Sequence, residues 1–373
     1  MPRNINIVVL WMLKYDGSGF LTGGLERWCR DLGLLLRSKG YTVTIYQKAT
    51  VAFEREIEPQ LNVVGIKCPL TIRGNWSISR WLEKNVSHDI PTIFVSQELN
   101  LSDRINRAAC INHGIWWDGD MPWWKRSLNK RLQYKLLFRS LGVICVDTNY
   151  INWCHAELPN RLLWEQKLHY IPNYANLELF PVSASRPKSE DLTILFPRRI
   201  MGNNLDRHDR GAGFFLKAVD VLLKQQVKVR LMFAGRGELQ PQILEWASSR
   251  GLTGRIEIFE TGLDEMANIY NRCDVVVVPS LAHEGTSLSA IEAIAAGVPT
   301  VVSHIGGLGN IVIPGLNGHI CDLNPASLAA MILQAHQSPC LKNPTVLNAV
   351  RESLGKERWD HAVWLYLSKI LEL

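Results

Sequence analysis

The run from Asp274 to Ser280, four consecutive valines followed by Pro-Ser, constrains the fold of this chain more than any other segment. A short apolar run that ends in Pro-Ser is typical of a buried strand, and residues 290–296 predict a helix that is terminated by Gly297-Val298-Pro299. Thr286 and Ser287 stand where this helix begins, so we expect their hydroxyls to cap it. The backbone N–H groups of its first turn favour a phosphate at the same place.

Two carboxylates flank the predicted helix start. Glu284 lies before the helix, and Glu292 lies about two turns into it. Ionised carboxylates only accept hydrogen bonds, so the pair suits a ligand that carries hydroxyls on both sides of a diphosphate. A nucleotide-sugar is such a ligand.

The surroundings of the two glutamates resemble the Glu-x7-Glu signature of retaining glycosyltransferases of family 4. The residues that fall in the order of that family are the valine run, Pro279-Ser280, Glu284-Gly285-Thr286-Ser287-Leu288, Glu292-Ala293, Ala296-Gly297-Val298-Pro299, Ser303, Gly306-Gly307 and Asn317-Gly318. The resemblance implies an α/β protein with the GT-B fold, in which two Rossmann-like, doubly wound parallel-sheet domains face each other across a cleft. The alternative is an ordinary βαβ unit in which the two carboxylates have no functional role.

The resemblance continues upstream, at the predicted first strand of the second domain. This strand ends in Arg199, where the family has an arginine, and Arg210 stands where the family usually has a lysine. In the family these two cations hold the donor diphosphate; residues 201–209 look like an insertion between them. Gly235 matches a second glycine turn of the family. Alternatively, the arginines of this segment form a solvated basic loop: Arg198, Arg199, Arg207 and Arg210.

The first half of the chain matches the family more loosely. Gly23-Gly24-Leu25-Glu26-Arg27 resembles a turn that lies near the donor phosphates and the acceptor, and His113-Gly114 resembles the end of a strand at the acceptor site. His113 is the best candidate to contact the acceptor or the sugar, although a lone histidine at this place is also often structural. Asp118 is a second candidate. We interpret Asp118-Gly119-Asp120 as a loop turn rather than a metal motif.

The resemblance assigns the following roles. Predicted catalytic residues are His113, Glu284, Arg199 and Arg210. Predicted donor-binding residues are Gly24, Arg199, Arg210, Gly235, Glu284, Gly285, Thr286, Ser287, Leu288 and Glu292. Predicted acceptor-binding residues are Gly23, Glu26, His113 and Asp118. No cofactor and no metal is expected, because the nucleotide-sugar is a co-substrate and the arginines and the helix start can offset the charge on the diphosphate.

Apolar runs alternate with helical stretches twice along the chain, which indicates two parallel α/β domains. A Pro- and Ser-containing break between Pro181 and Lys188 marks the linker. We therefore predict an acceptor domain at 1–183, a donor domain at 190–345 and a C-terminal segment at 346–373. The pattern of the tail from Glu352 to Leu373 predicts one helix. The resemblance implies that this helix packs back on the first domain.

Composition bounds the location and the partners. The eight cysteines are scattered, which indicates free thiols in a reducing compartment, and no stretch has the length of a transmembrane helix, so we expect a cytoplasmic protein. The net charge of +6 is uneven, since tryptophans and a basic cluster occupy 115–139, with no acidic residue from Met121 to Val146. This segment indicates peripheral contact with the inner face of the cytoplasmic membrane, or else a solvated helix whose tryptophans pack inward or stack on a sugar. No nucleic-acid module is present.

Together these features predict a retaining glycosyltransferase that moves a sugar from a UDP- or GDP-sugar to a glycan or glycolipid acceptor in surface polysaccharide biosynthesis. The alternatives are a nucleotide-sugar epimerase or a phosphorylase of the same fold, and a catalytically silent nucleotide-sugar-binding partner. The silent partner is suggested by Arg210 in place of lysine, by the insertion before it, and by Asn310 where the family often has an acid.

Overall fold

The computed structural model of the protein describes residues 3–21, 23–115, 117, 122–182, 190–337 and 343–373. The chain forms two compact units: the first unit comprises residues 1–171 and 360–373, and the second unit comprises residues 172–359. The division therefore falls before the expected 183–190 break. Residues 172–182 pack with the second unit because Phe180 is fully buried there, with its ring centroid 5.9 Å from that of Tyr270.

The first unit is built on an eight-stranded sheet with the order β3-β4-β2-β1-β5-β6-β7-β8. Its strands are β1 (Arg3–Val9), β2 (Tyr41–Ala49), β3 (Phe53–Glu58), β4 (Leu61–Lys67), β5 (Thr92–Phe94), β6 (Ala108–Asn112), β7 (Gly142–Cys145) and β8 (Leu168–Tyr170). Its helices are α1 (Gly24–Ser38), α2 (Ile72–Asn85), α3 (Trp123–Arg139) and α4 (Thr148–Glu157). The β3–β4 pair is antiparallel and the other pairs are parallel.

The second unit is built on a six-stranded parallel sheet with the order β11-β10-β9-β12-β13-β14. Its strands are β9 (Leu192–Phe196), β10 (Val229–Ala234), β11 (Ile256–Phe259), β12 (Val275–Val278), β13 (Thr300–Ser303) and β14 (Gly318–Cys321). Its helices are α5 (Ala212–Lys224), α6 (Gln240–Ser248), α7 (Leu263–Asn271), α8 (Leu288–Ala295), α9 (Pro325–Gln337) and α10 (Pro344–Leu354).

Both faces of the second sheet are covered, which explains why its strands are apolar throughout. The four valines of β12 are all fully buried. Val275 and Val277 belong to the core cluster that contains Phe215 of α5, whereas Val276 and Val278 belong to the cluster that contains Ile291 of α8. The alternation of side chains along a strand thus anchors β12 to two helical layers.

The order of the second sheet reverses at one place. From β9 the chain moves outward through β10 and β11, and then β12 pairs with the opposite edge of β9. Ligands of open α/β sheets bind outside the carboxyl ends of the strands at such a reversal. The segments that follow β9 and β12 are therefore where the fold of the second unit places a ligand site.

The tail is two helices rather than the single one that the sequence predicted. Helix α10 ends at Leu354 and α11 (Lys356–Ile370) begins after Gly355. The break arises because Ala175 pairs with the chain here: its N–H donates to the Leu354 carbonyl and its carbonyl accepts from the Lys356 N–H, both at 2.9 Å. From Asp360 onward the tail packs with the first unit.

Candidate donor site at the strand ends of the second unit

Glu284 lies in the segment after β12 and is the centre of a buried ionic cluster. Its Oε2 accepts from Nη2 of Arg198 at 2.7 Å, from Nη1 of Arg210 at 2.5 Å and from the hydroxyl of Ser280 at 2.9 Å. The Glu284 side chain is only 8% exposed and that of Arg198 11%. Among the described residues, Oε1 of Glu284 accepts no hydrogen bond. The cluster therefore leaves one carboxylate oxygen for a ligand.

Charge compensation keeps this carboxylate ionised. Burial on its own would raise the pKa of Glu284, but the guanidiniums of Arg198 and Arg210 outweigh burial and hold the pKa below its ordinary value. Burial also lowers the pKa of Arg198, and the charge of Glu284 opposes that shift. Each member of the Arg198–Glu284 pair thus stabilises the charged form of the other.

The arginine that contacts Glu284 from the segment after β9 is Arg198, whereas the sequence analysis assigned the donor diphosphate to its neighbour Arg199, and that assignment stays a prediction. Arg199 is exposed and has no ion pair with Glu284. Arg210 does contact Glu284, with 45% of its side chain exposed. The insertion before Arg210 therefore does not keep it away from the site.

The backbone of Glu284 is held by the glycine pair after β13. Gly307 donates its N–H to the Glu284 carbonyl at 2.8 Å. Gly306 adopts a φ of +54°, and a Cβ there would lie 1.9 Å from the same carbonyl oxygen. Gly306 is therefore required both for its conformation and for the close approach of the two segments.

The start of α8 differs from the sequence prediction, because the hydroxyl of its N-cap residue does not cap it. Ser287 occupies the N-cap position without a side-chain cap hydrogen bond, and its hydroxyl accepts from Nη1 of Arg198 at 3.1 Å. The hydroxyl of Thr286 accepts from the Asn173 N–H at 3.0 Å, while Nδ2 of Asn173 donates to the Thr286 carbonyl at 2.7 Å. Because Arg198 engages the Ser287 hydroxyl, the N-cap side chain makes no cap hydrogen bond to the first N–H groups of α8. Gly285 precedes these residues and Leu288 is the first residue of α8, and the donor contacts expected of both stay predictions.

Glu292 lies within α8 and is 6% exposed. The hydroxyl of Tyr270 is 3.1 Å from Oε2 of Glu292 and 3.1 Å from the Ser289 carbonyl oxygen. The carboxylate is thereby fixed beside the first turn of the helix.

Gly235 follows β10 with a φ of +148°, and a Cβ there would lie 2.6 Å from the Arg198 carbonyl oxygen.

The structure brings in residues whose roles were not predicted: Arg198, Ser280, Asn173 and Tyr270. Their signals in the sequence are weak, although Arg198 and Ser280 each lie two residues after a strand of the reversal point, where polar side chains can face a ligand. The contacts of Asn173 and Tyr270 depend on segments far apart in the chain.

The predicted acceptor residues lie at two places in the first unit. His113 follows β6, with its ring edge-on to Trp28 at a centroid distance of 5.4 Å. Burial lowers the pKa of His113 to about 4, and a hydrogen bond with the backbone of Val95 opposes this shift only in part. Its Nε2 is buried without a partner among the described residues. The imidazole is therefore neutral at neutral pH.

The second place is the start of α1. Gly23 is its N-cap residue and Gly24 its first residue; both are exposed. Glu26 lies in the first turn, where a carboxylate is favourable beside the helix N-terminus. A Cβ on Gly23 would lie 2.2 Å from Oε2 of Glu26, so the glycine makes room for this side chain. Asp118 lies outside the described residues.

Other site types have little support in the part of the chain that the structure describes. No group of three or more His, Cys, Asp or Glu side chains there could hold a metal ion. No described helix is long and apolar enough to cross a membrane. Seven cysteines are described and all are free thiols: Cys29, Cys68, Cys110, Cys145, Cys154, Cys273 and Cys321.

Two parallel-sheet α/β units of this topology define the GT-B fold, and solved structures share it over nearly the whole chain. Sucrose-phosphate synthase from Thermosynechococcus elongatus superposes with a TM-score of 0.77 at 17% identity, covering 99% of each chain. The Anabaena protein HepE, solved in complex with UDP, superposes with a TM-score of 0.71 at 16% identity, covering 99% of this chain and 100% of its own.

Sequence comparison points to a family within this fold. Residues 197–338, which contain every residue of the Glu284 cluster, match the family model described as Glycosyl transferases group 1. An uncharacterized glycosyltransferase of Methanocaldococcus jannaschii is 26% identical over 208 residues, which are 55% of this chain and 48% of that protein. The alignments span about half or less of the curated relatives' own lengths.

Proposed function

We propose that this chain is a retaining glycosyltransferase of family 4 that transfers a sugar from a UDP- or GDP-sugar to a glycan or glycolipid acceptor in surface polysaccharide biosynthesis. The observation that carries the proposal is the cluster of Arg198, Arg210 and Glu284 beside the uncapped start of α8, at the reversal point of the second sheet. A related fold solved with UDP supports the choice of donor class.

The start of α8 would bind the donor diphosphate. Its first N–H groups have no side-chain cap, and the positive end of the helix dipole favours an anion there. Arg210 and the exposed Arg199 would add guanidinium contacts to the phosphate oxygens. Charge grows on the diphosphate as the glycosidic bond breaks, so these groups would stabilise the transition state more than the ground state. In this proposal no metal is required.

The two glutamates would bind hydroxyls on either side of the diphosphate. Glu284 would accept from the transferred sugar through Oε1, because Oε2 is already bound by Arg198, Arg210 and Ser280. Glu292 would accept from the ribose hydroxyls. Since the pKa of Glu284 is lowered, its carboxylate is ionised and acts as an acceptor rather than as a proton donor.

The acceptor would be bound by the first unit, through His113 and the α1 start with Gly23 and Glu26. In the transfer step the bond between the anomeric carbon and the diphosphate oxygen breaks, the acceptor oxygen forms the new bond on the same face, and its proton passes to the leaving phosphate. His113 is neutral, so it would orient a hydroxyl through a hydrogen bond rather than supply positive charge. The proposal includes a cytoplasmic location, which the free thiols suit.

The test combines binding and turnover. UDP-, GDP-, ADP- and dTDP-sugars would be screened by thermal shift, followed by product analysis with glycan and glycolipid acceptors. We expect one nucleotide class to stabilise the protein by about 3 kcal/mol when present at about 100 times its dissociation constant. Glu284→Gln should abolish transfer. Stabilisation by no nucleotide, together with no transfer from any donor, would refute the proposal.

A further inference from the structure

We propose that helix α3 docks the protein on the surface of an anionic lipid bilayer, with its aromatic and basic outward face lying among the headgroups. This property is independent of the donor site, since α3 belongs to the first unit and the Glu284 cluster to the second.

The outward face of α3 carries large apolar side chains that solvent reaches. Trp123 is 82% exposed, Trp124 52%, Leu128 63% and Phe138 38%. Positions 124, 128, 131, 135 and 138 recur at intervals of three and four, which places them on one side of the helix. The opposite side holds α3 in the unit through the buried residues Gln133, Leu136 and Leu137. The exposed apolar residues are thus not needed to anchor the helix.

The same face is cationic. Helix α3 contains six lysines and arginines and no acidic residue: Lys125, Arg126, Lys130, Arg131, Lys135 and Arg139. Three of them pair within the unit, Arg126 and Lys130 with Glu157 at 3.0 and 3.3 Å, and Arg139 with Asp103. Lys125, Arg131 and Lys135 form no ion pair with any described residue. Arg131 and Lys135 therefore project from the outward face, and Lys125 lies at its edge with its Nζ 5.3 Å from the centroid of the Trp124 ring.

A groove extends this face at the C-terminal end of α3. Its volume is about 610 Å³, and Lys135, Phe138 and Lys167 contribute to its lining. The Nζ of Lys167 donates to the carbonyls of Phe138 and Ser140 at 3.3 and 2.8 Å, which positions its charge at the helix end. Asp103 also lines the groove, where its carboxylate pairs with Arg139, so the groove extends the polar rim of the outward face.

The combination of side chains favours a bilayer over other partners. Tryptophan is suited to the interface between hydrocarbon and water, and basic side chains near an anionic membrane contribute about 1 kcal/mol each. Lysine is depleted in protein–protein interfaces, so the lysines of α3 argue against a protein partner. A nucleic-acid partner would leave the exposed apolar side chain of Leu128 without a role. Stable attachment requires two signals, apolar insertion and charge, and α3 supplies both on one face.

The experiment is vesicle flotation with the full-length protein. Neutral phosphatidylcholine vesicles would be compared with vesicles that contain about 30% phosphatidylglycerol. We expect binding to the anionic vesicles only, and release at about 0.5 M NaCl. Lys125→Glu/Arg131→Glu/Lys135→Glu should weaken binding on the order of a hundredfold, and Trp123→Ser/Trp124→Ser about tenfold.

Matched control variants replace lysines and a tryptophan that lie outside α3. Lys67→Glu/Lys84→Glu/Lys224→Glu changes three exposed lysines outside α3, and Trp76→Ser removes a tryptophan of α2 that is 57% exposed. Both controls should float like the wild type. In a second readout, brominated lipids should quench the wild-type fluorescence, and Trp123→Phe/Trp124→Phe should lose most of that quenching. Circular dichroism would verify that each variant is folded.

Several outcomes would overturn the proposal. Equal flotation of the wild type and the α3 charge variant is one, and equal binding to neutral and anionic vesicles is another. Binding to duplex DNA or self-association that the α3 variants abolish, without vesicle binding, would assign the face to nucleic acid or to a second copy of the chain instead.

Discussion

Nη2 of Arg198 lies 2.7 Å from Oε2 of Glu284, although the two residues are 86 positions apart in the chain. The contact joins the segment after β9 to the segment after β12, the two strands between which the sheet order reverses. A buried ion pair at this point fixes the relative position of two loops and of the start of α8, because Arg198 also donates to Ser287. The following predictions concern this arrangement and the histidine of the first unit.

Arg198→Ala should destabilise the protein by about 2–4 kcal/mol, because it leaves the buried Glu284 carboxylate with only Arg210 and Ser280 as partners. The matched control is the neighbouring Arg199→Ala, which removes the same side chain from an exposed position and should change stability by less than about 0.5 kcal/mol. Urea unfolding of both variants checks this. Equal destabilisation by the two substitutions would contradict the assignment of Arg198 as the buried partner.

Glu284→Gln should change the pH dependence of stability. The guanidiniums hold the pKa of Glu284 below its ordinary value of 4.5, so the unfolded chain binds this proton more readily than the folded one. The ionic contribution is present above that pH and is lost as the pH falls below it. The wild type should therefore be more stable than Glu284→Gln at neutral pH, and the difference should shrink in acid. A constant difference in melting temperature across the pH range would argue against the ion pair.

Gly306→Ala should destabilise the second unit by about 2–4 kcal/mol, because the residue has a positive φ and its new Cβ would collide with the Glu284 carbonyl. Gly309→Ala is the control. It lies in the same short turn, has no positive φ, and its Cβ would come no closer than 3.9 Å to His304. Thermal unfolding distinguishes the two. Retained stability in Gly306→Ala would show that the two segments do not approach so closely.

His113→Gln should remove a pH-dependent loss of stability. Burial lowers the pKa of folded His113 to about 4 from an ordinary value of 6.5, so the unfolded chain takes up the proton first. The contribution of the neutral His113 side chain to the free energy of unfolding is therefore fully present above pH 6.5 and is lost as the pH falls towards 4. The urea midpoint of the wild type should fall over this range more than that of His113→Gln. His361→Gln, at an exposed position of α11, should behave like the wild type.

Much of the fold could be predicted from the sequence because its signals are local. The valine run predicted β12 and the Gly-Val-Pro stop predicted the end of α8, since both depend on neighbouring residues. The β3–β4 hairpin was missed: its turn contains Gln60 at a φ of +65° rather than a glycine. The tail was interpreted as one helix because the break at Gly355 arises from pairing with Ala175, a contact that no local pattern records.

The candidate site could be predicted only in part, because several of its contacts join segments that are distant in the sequence. Glu284, Glu292 and Arg210 were predicted to bind the donor from the family resemblance, and the structure brings Arg210 and Glu284 together, while their donor contacts stay predictions. Which of two adjacent arginines points towards Glu284 depends on the direction of the chain as it leaves β9, and a sequence of two arginines does not encode that direction. The Ser287 hydroxyl was expected to cap α8, and that prediction was wrong because Arg198 engages this hydroxyl instead.

Helix α11 bears on the order in which the chain can fold. Its last residues belong to the first unit: Tyr366 stacks on His169 with ring centroids 4.5 Å apart and donates to the Lys167 carbonyl at 2.8 Å. Helix α11 thus packs on a sheet whose last strand, β8, lies about 200 positions earlier in the chain, with the whole second unit between them in sequence. The second unit is one uninterrupted stretch of chain, whereas the first unit is complete only when two separate stretches of chain have come together.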